Sequence, residues 1–192
     1  MLHLVQIIYW LALATWFGGV LFIALSAPAV FSTVRENNPI LPTVLSVNLE
    51  NQHGTLLANS IVSALMERLI RVELACAAAL LVALIAQWAL LDESGQQLVH
   101  LIVRSALYLA AVVLVLYQWR ILWPRVKRYR EHYVAHADEP EVANAARDEF
   151  ERHHRETVTV LMILLGLLLA MVLFSANISR TGGTRIVMGM VL

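Results

Sequence analysis

The chain has 192 residues, 59% of them hydrophobic and 15% charged, and its 14 basic and 14 acidic side chains cancel. Soluble domains run nearer about 45–50% apolar and about 25% charged, so this composition marks a membrane protein and excludes a disordered, collagen-like or nucleic-acid-binding chain. A single cysteine, Cys76, excludes an internal disulfide and any Cys-x-x-Cys motif.

The hydrocarbon layer of a bilayer is about 30 Å thick and a helix rises about 1.5 Å per residue, so a span needs about 20 apolar residues. Residues 4–30 form the first such stretch and carry no charge. No basic segment precedes it and its apolar run exceeds that of a signal peptide, so it reads as a span. Pro28 is expected to kink or end this helix. Residues 36–60, with Pro39, Pro42, Asn48 and Asn51, read as a loop and the start of an amphipathic lead-in. Its continuation, 56–69, is predicted to be helical and to join the second span, 70–91, without a break. The third span covers 100–123. Residues 125–156 are densely charged, and Asp138-Glu139-Pro140 is the strong breaker among them, which predicts two helical arms joined near Pro140. The fourth span, 157–175, is again free of charge. The expected fold is all-α: one domain over residues 1–192, an integral membrane four-helix bundle with a charged cytoplasmic helical hairpin between the third and fourth spans.

Sidedness follows from the basic residues. Arg125, Lys127, Arg128, Arg130, Arg147, Arg152 and Arg155 lie between the third and fourth spans, and Arg35, Arg68 and Arg71 between the first and second. The opposite side holds Asp92 and Glu93, with Arg180 and Arg185 in the tail. This bias predicts a multi-pass protein of the cell (inner) membrane with both termini outside the cytoplasm. Trp10, Trp88, Trp123 and Tyr117 fall toward helix ends, where they read as interfacial anchors.

Ionisable groups inside spans are costly, so they point to sites or to structural pairs. Glu67, Arg68, Arg71, Glu73, Arg104 and Arg120 form this set. Glu67 and Arg71 are four apart with the acid first, the favourable order for a same-face pair. Glu73 lies about 11 Å to the cytoplasmic side of the centre of its span and is predicted to pair with Arg120 or Arg71. Arg104 is expected to reach Asp92 or Glu93, or to snorkel to the headgroups. His3 and His100 fall at outer helix ends, where facing imidazoles would ligate a haem iron. His132 and His136 are four apart, and Glu151 and His154 are three apart on the next arm, the spacing of di-metal carboxylate bundles. No cofactor is firmly predicted, with haem and a divalent metal as the options these histidines open. Small-residue faces at Ala14/Gly18, Thr15/Gly19 and Ala75/Ala79/Ala83 predict close packing of the first two spans, and Gly166 offers the same to the fourth.

Three pieces of the chain resemble the transmembrane protein 205-like family, a four-span domain of unknown function. They are Trp16-Phe17-Gly18-Gly19 with Ala27-Pro28-Ala29-Val30-Phe31; Pro124-Arg125-Val126-Lys127-Arg128; and Phe150 with His154 and Thr157. Where that family often has an asparagine in the last span, this chain has Leu161. A more distant likeness is to four-span copper-resistance and haem-pathway membrane proteins. Those carry a histidine seven residues before the tryptophan, where this chain has Tyr9. The resemblance implies the four-span architecture and no particular reaction.

Together these readings lead to a non-enzymatic scaffold or accessory subunit of a membrane complex. Its partners would be the bilayer and other membrane subunits or copies of itself, with no nucleic acid. A haem-, porphyrin- or metal-binding redox protein is the first alternative, and a small-molecule or ion carrier using Glu67, Arg71 and Glu73 is the second.

Overall fold

The computed structural model describes residues 2–37, 53–90, 95–136 and 139–188. Every element in them is helical: α1 (Leu2–Asn37), α2 (His53–Ala89), α3 (Gly95–Tyr117), a single π-helical turn (Gln118–Leu122), α4 (Trp123–Ala135) and α5 (Pro140–Met188). Four stretches, His3–Asn37, Gly54–Ala89, Leu98–Ala135 and Glu141–Ala176, are long and apolar enough to cross a bilayer. Each exceeds the roughly 20 residues a crossing needs, so the helices continue beyond their apolar parts. Asp92, Glu93 and Asp138 lie outside the described residues.

The sequence reading of α2 as one uninterrupted helix from the lead-in through the span agrees with the structure. Pro28, expected to kink or end α1, does not end it: the helix runs nine residues further, to Asn37. The proline cannot donate to the Ala24 carbonyl, four residues back. The hydroxyls around it back-bond elsewhere, Ser26 Oγ to the Phe22 carbonyl at 2.7 Å and Ser32 Oγ to that of Ala29 at 3.0 Å.

Pro124 acts more strongly. Its ring would strike the carbonyl of Arg120 in a regular α-helix. The chain widens by one residue immediately before it, and the Trp123 N–H bonds to the Gln118 carbonyl, five residues back. This π-turn passes α3 into α4 without a break. Pro140 then opens α5 at the first helical position, where its missing N–H costs nothing.

The helices share one apolar core, built from Leu13, Trp16 and Val20 of α1, Leu80 and Ala83 of α2, Ala111 and Val115 of α3, and Leu164, Leu168 and Met171 of α5. The α1–α2 pair is the most extensive, α5 lies along both α3 and α4, and α2 meets α3 only sparsely. Gly19 sets the closeness of α1 and α2: a Cβ there would stand 3.1 Å from Leu69 Cδ1. Gly166, by contrast, has nothing within 4 Å and is exposed, so the expected packing face on the last helix is not used. The outward faces carry Phe22, Leu25, Val82, Leu109 and Val113, all more than half exposed. A soluble monomer does not display apolar surface on this scale, whereas acyl chains solvate it without cost.

A polar core and a two-part crevice

Two features stand out from this apolar frame. The first is a set of polar groups in the core. Arg104 of α3 is 5% exposed. Its Nε donates to the Tyr9 hydroxyl at 3.2 Å, and its guanidinium carbon sits 4.1 Å from the centre of the Tyr9 ring. The same hydroxyl is 2.9 Å from Ser175 Oγ. One tyrosine thus joins α1, α3 and α5, and supplies Arg104 with both a hydrogen bond and a cation–π contact. The arginine does not snorkel outward.

Glu73 is fully buried, and neither carboxylate oxygen has a hydrogen-bond partner among the described residues. Leu69 stands against Gly19, and one turn along each helix from that contact brings Trp16 and Glu73 to one level. The Trp16 indole N–H approaches the carboxylate without completing a bond. The expected partners are elsewhere. Arg71 bonds Glu67 at 3.0 Å on the exposed surface, as the spacing suggests. Arg120 is exposed and lies 5.4 Å from the centre of the Trp119 ring. The reason is angular: on a helix with about 100° per residue, Arg71 and Glu73 point about 200° apart. Arg68 is exposed as well. Gln118, in the π-turn, is fully buried, and neither amide atom has a partner among the described residues.

The second feature is a crevice where α1, α2, α4 and α5 come together. Its inner part, about 220 Å³, is walled by Ile23, Ala24, Ala27, Pro28 and Phe31 of α1 and by Val62 and Met66 of α2. Trp123 and Val126, with Val158, Leu161 and Met162 of α5, complete the apolar lining, and Asn59, Ser63, His154 and Thr157 add the polar atoms. Phe31, Asn59, Phe150 and His154 also line an outer part of about 300 Å³, which adds Thr55, Leu56, Arg130, Tyr133, Arg147 and Glu151. The two parts thus share four side chains, and one part is oily and the other charged. Arg130 Nη2 donates to Ser60 Oγ at 2.6 Å, and Arg147 Nε to Glu151 Oε1 at 3.0 Å. The His154 ring stacks on Phe150, 5.9 Å between centroids. The Thr157 hydroxyl is turned back to the His153 carbonyl at 2.9 Å.

Four residues singled out by the sequence pattern, Pro28, Phe150, His154 and Thr157, converge on this crevice from the two ends of the chain. Trp16 is buried in the core, Gly19 is at the α1–α2 contact, Gly18 is exposed, and Pro124 stands beside the π-turn. Asn59 and Ser63 were missed, although their spacing of four puts them on one face of the lead-in helix. His153 was missed too. It is buried between α4 and α5, stacks on Tyr129 at 5.4 Å, and has Nδ1 3.1 Å from Glu156 Oε2, while Oε1 of the same carboxylate accepts from the Tyr117 hydroxyl at 2.9 Å.

The histidine sets do not assemble. Among the described residues, no group of three or more His, Cys, Asp or Glu stands close enough to hold a metal ion. His132 and His136 stack on each other at 4.2 Å. The reason lies in the antiparallel register of α4 and α5. Tyr129 meets His153, and His132 lies in a surface depression with Val142, Ala145 and Glu149, whereas His154 lines the crevice. His3 is exposed and His100 only half-buried, without an enclosing pocket among those described. Comparison with family models, curated proteins and solved structures finds no match for this chain.

Proposed function

We propose that this chain is a non-enzymatic four-span protein of the cell (inner) membrane, folded as a helical bundle, that acts as an accessory subunit and works by binding. Its termini face away from the cytoplasm, and α4 with the first turns of α5 forms the charged cytoplasmic hairpin. The resemblance to transmembrane protein 205-like proteins fits that architecture. The observation that carries the reading is the crevice. It draws residues from α1, α2, α4 and α5 to the boundary between apolar and charged sequence, and it joins an oily part to a charged part, as small-molecule sites do.

Filling the inner part tests this. The apolar dye N-phenylnaphthylamine is expected to fluoresce on binding the purified protein in detergent, and Ala27→Trp or Ser63→Phe, from opposite walls, to remove most of that signal while far-UV circular dichroism stays unchanged. Retention of the full signal in both folded variants overturns the reading. The unpartnered Glu73 and Gln118 favour a carrier as the second reading. Proton-coupled uptake into proteoliposomes that disappears in Glu73→Gln would move the conclusion there.

A further inference from the structure

We propose that the crevice holds one acyl chain of an acidic phospholipid drawn from the surrounding leaflet, with the phosphate of its headgroup between Arg130 and Arg147. This rests on the crevice being the working site and adds the chemical class of its occupant.

Three observations select that class. First, the lining selects a hydrocarbon. The inner part, about 220 Å³, is walled almost wholly by apolar side chains. A chain one or two carbons wide fits. Second, the opening is lateral. Pro28 on α1 and Val158 and Met162 on α5 line the crevice and are themselves exposed on the outward face. The entrance therefore faces the acyl layer, and a lipid tail enters without crossing water. Third, charge and depth agree with a headgroup. Arg130 is seven residues beyond Trp123, about 10 Å by helical rise, which the length of an arginine side chain brings back toward the headgroup layer. Both arginines line the outer part, which shares His154 and Phe150 with the oily one.

Arginine suits a phosphate because its planar fork offers five donors. In the contacts described, Arg130 uses one nitrogen on Ser60 and Arg147 one on Glu151. Glu151 is the opposing charge in the same part of the crevice. Two cations against one anion leave a net attraction for a single negative headgroup, stronger than for a zwitterionic one whose own cation opposes it. The basic side of the sequence is also the side on which the positive-inside bias puts the cytoplasmic leaflet, where acidic lipids are found.

The experiment is lipid retention by the full chain, measured by native mass spectrometry after extraction from nanodiscs that contain dioleoylphosphatidylglycerol and dioleoylphosphatidylcholine in equal parts. The wild-type protein is expected to retain the glycerol lipid about tenfold over the choline lipid. The double variant Arg130→Gln/Arg147→Gln is expected to bring that ratio to about one, and Glu151→Gln to raise it. Arg155→Gln, an exposed arginine that does not line the crevice, is expected to leave it unchanged. Equal retention by the wild type, or an equal loss in Arg155→Gln, overturns the proposal. So does unchanged retention in Ala27→Trp, or cross-linking that finds residues 38–52 of this chain in the crevice. If the dye signal depends on Ala27 while both lipids bind equally, the crevice remains the binding site and only its acidic occupant is rejected. If the dye signal is indifferent to Ala27, the crevice itself is rejected.

Discussion

Tyr9 and Glu73 are opposite cases of a buried polar side chain. The Tyr9 hydroxyl serves two partners on two other helices and gives Arg104 its only described hydrogen bond. Tyr9→Phe keeps the ring beneath the guanidinium but removes both bonds. Interhelical hydrogen bonds in membrane proteins average about 0.6 kcal/mol, so the loss is about 1 kcal/mol and lowers Tm in a detergent melt. Among the described residues Glu73 has no such partner, and an ionisable group buried alone lowers stability. Glu73→Gln keeps the shape and removes the ionisable group. It is expected to hold or raise Tm, while Glu73→Lys prevents folding. A large fall in Tm for Glu73→Gln would mean that the carboxylate has a ligand essential to the fold.

Between helices, the decisive contact is Gly19 on Leu69. The atom that a new methyl would meet is the flexible tip of a leucine, which can rotate away. Gly19→Ala is therefore expected to be nearly neutral. Gly19→Ile forces the backbones apart and costs about 1–3 kcal/mol by overpacking, measured as a lower Tm or as increased cleavage by protease. The prolines mark the limit of reading elements from sequence. Pro28 and Pro124 carry the same local prohibition, yet one is absorbed in a continuous α-helix and the other in a π-turn. The identity of the residue predicts a lost hydrogen bond. How the helix accommodates the loss depends on what the side chains around the proline must pack against.

Across the whole molecule, the long apolar runs were legible because lipid imposes a length and a composition that packing cannot override. The Glu67–Arg71 pair was legible for a similar reason, since both partners belong to one helix. Contacts across helices were not. The Tyr9–Ser175 pair joins residues 166 positions apart, and nothing local announces it. The crevice was half legible: the pattern of Pro28, Phe150, His154 and Thr157 marked its walls, but Asn59, Ser63, Arg130 and Arg147 joined them only through tertiary register. Sidedness remains a prediction at this scale. In inside-out vesicles, a protease is expected to cut within residues 125–156 and to spare tags on both termini. The reverse pattern would invert the orientation and move the proposed lipid to the other leaflet.

The seam on which the crevice lies has one more consequence. The α1–α2 hairpin and the α3–α4–α5 unit are each closely packed, α2 touches α3 lightly, and the crevice borrows walls from both units. An occupant of that seam is a mortar as well as a guest, and by mass action it favours the assembled arrangement in proportion to its own abundance. The coherence of the molecule is then a property shared with the composition of its membrane.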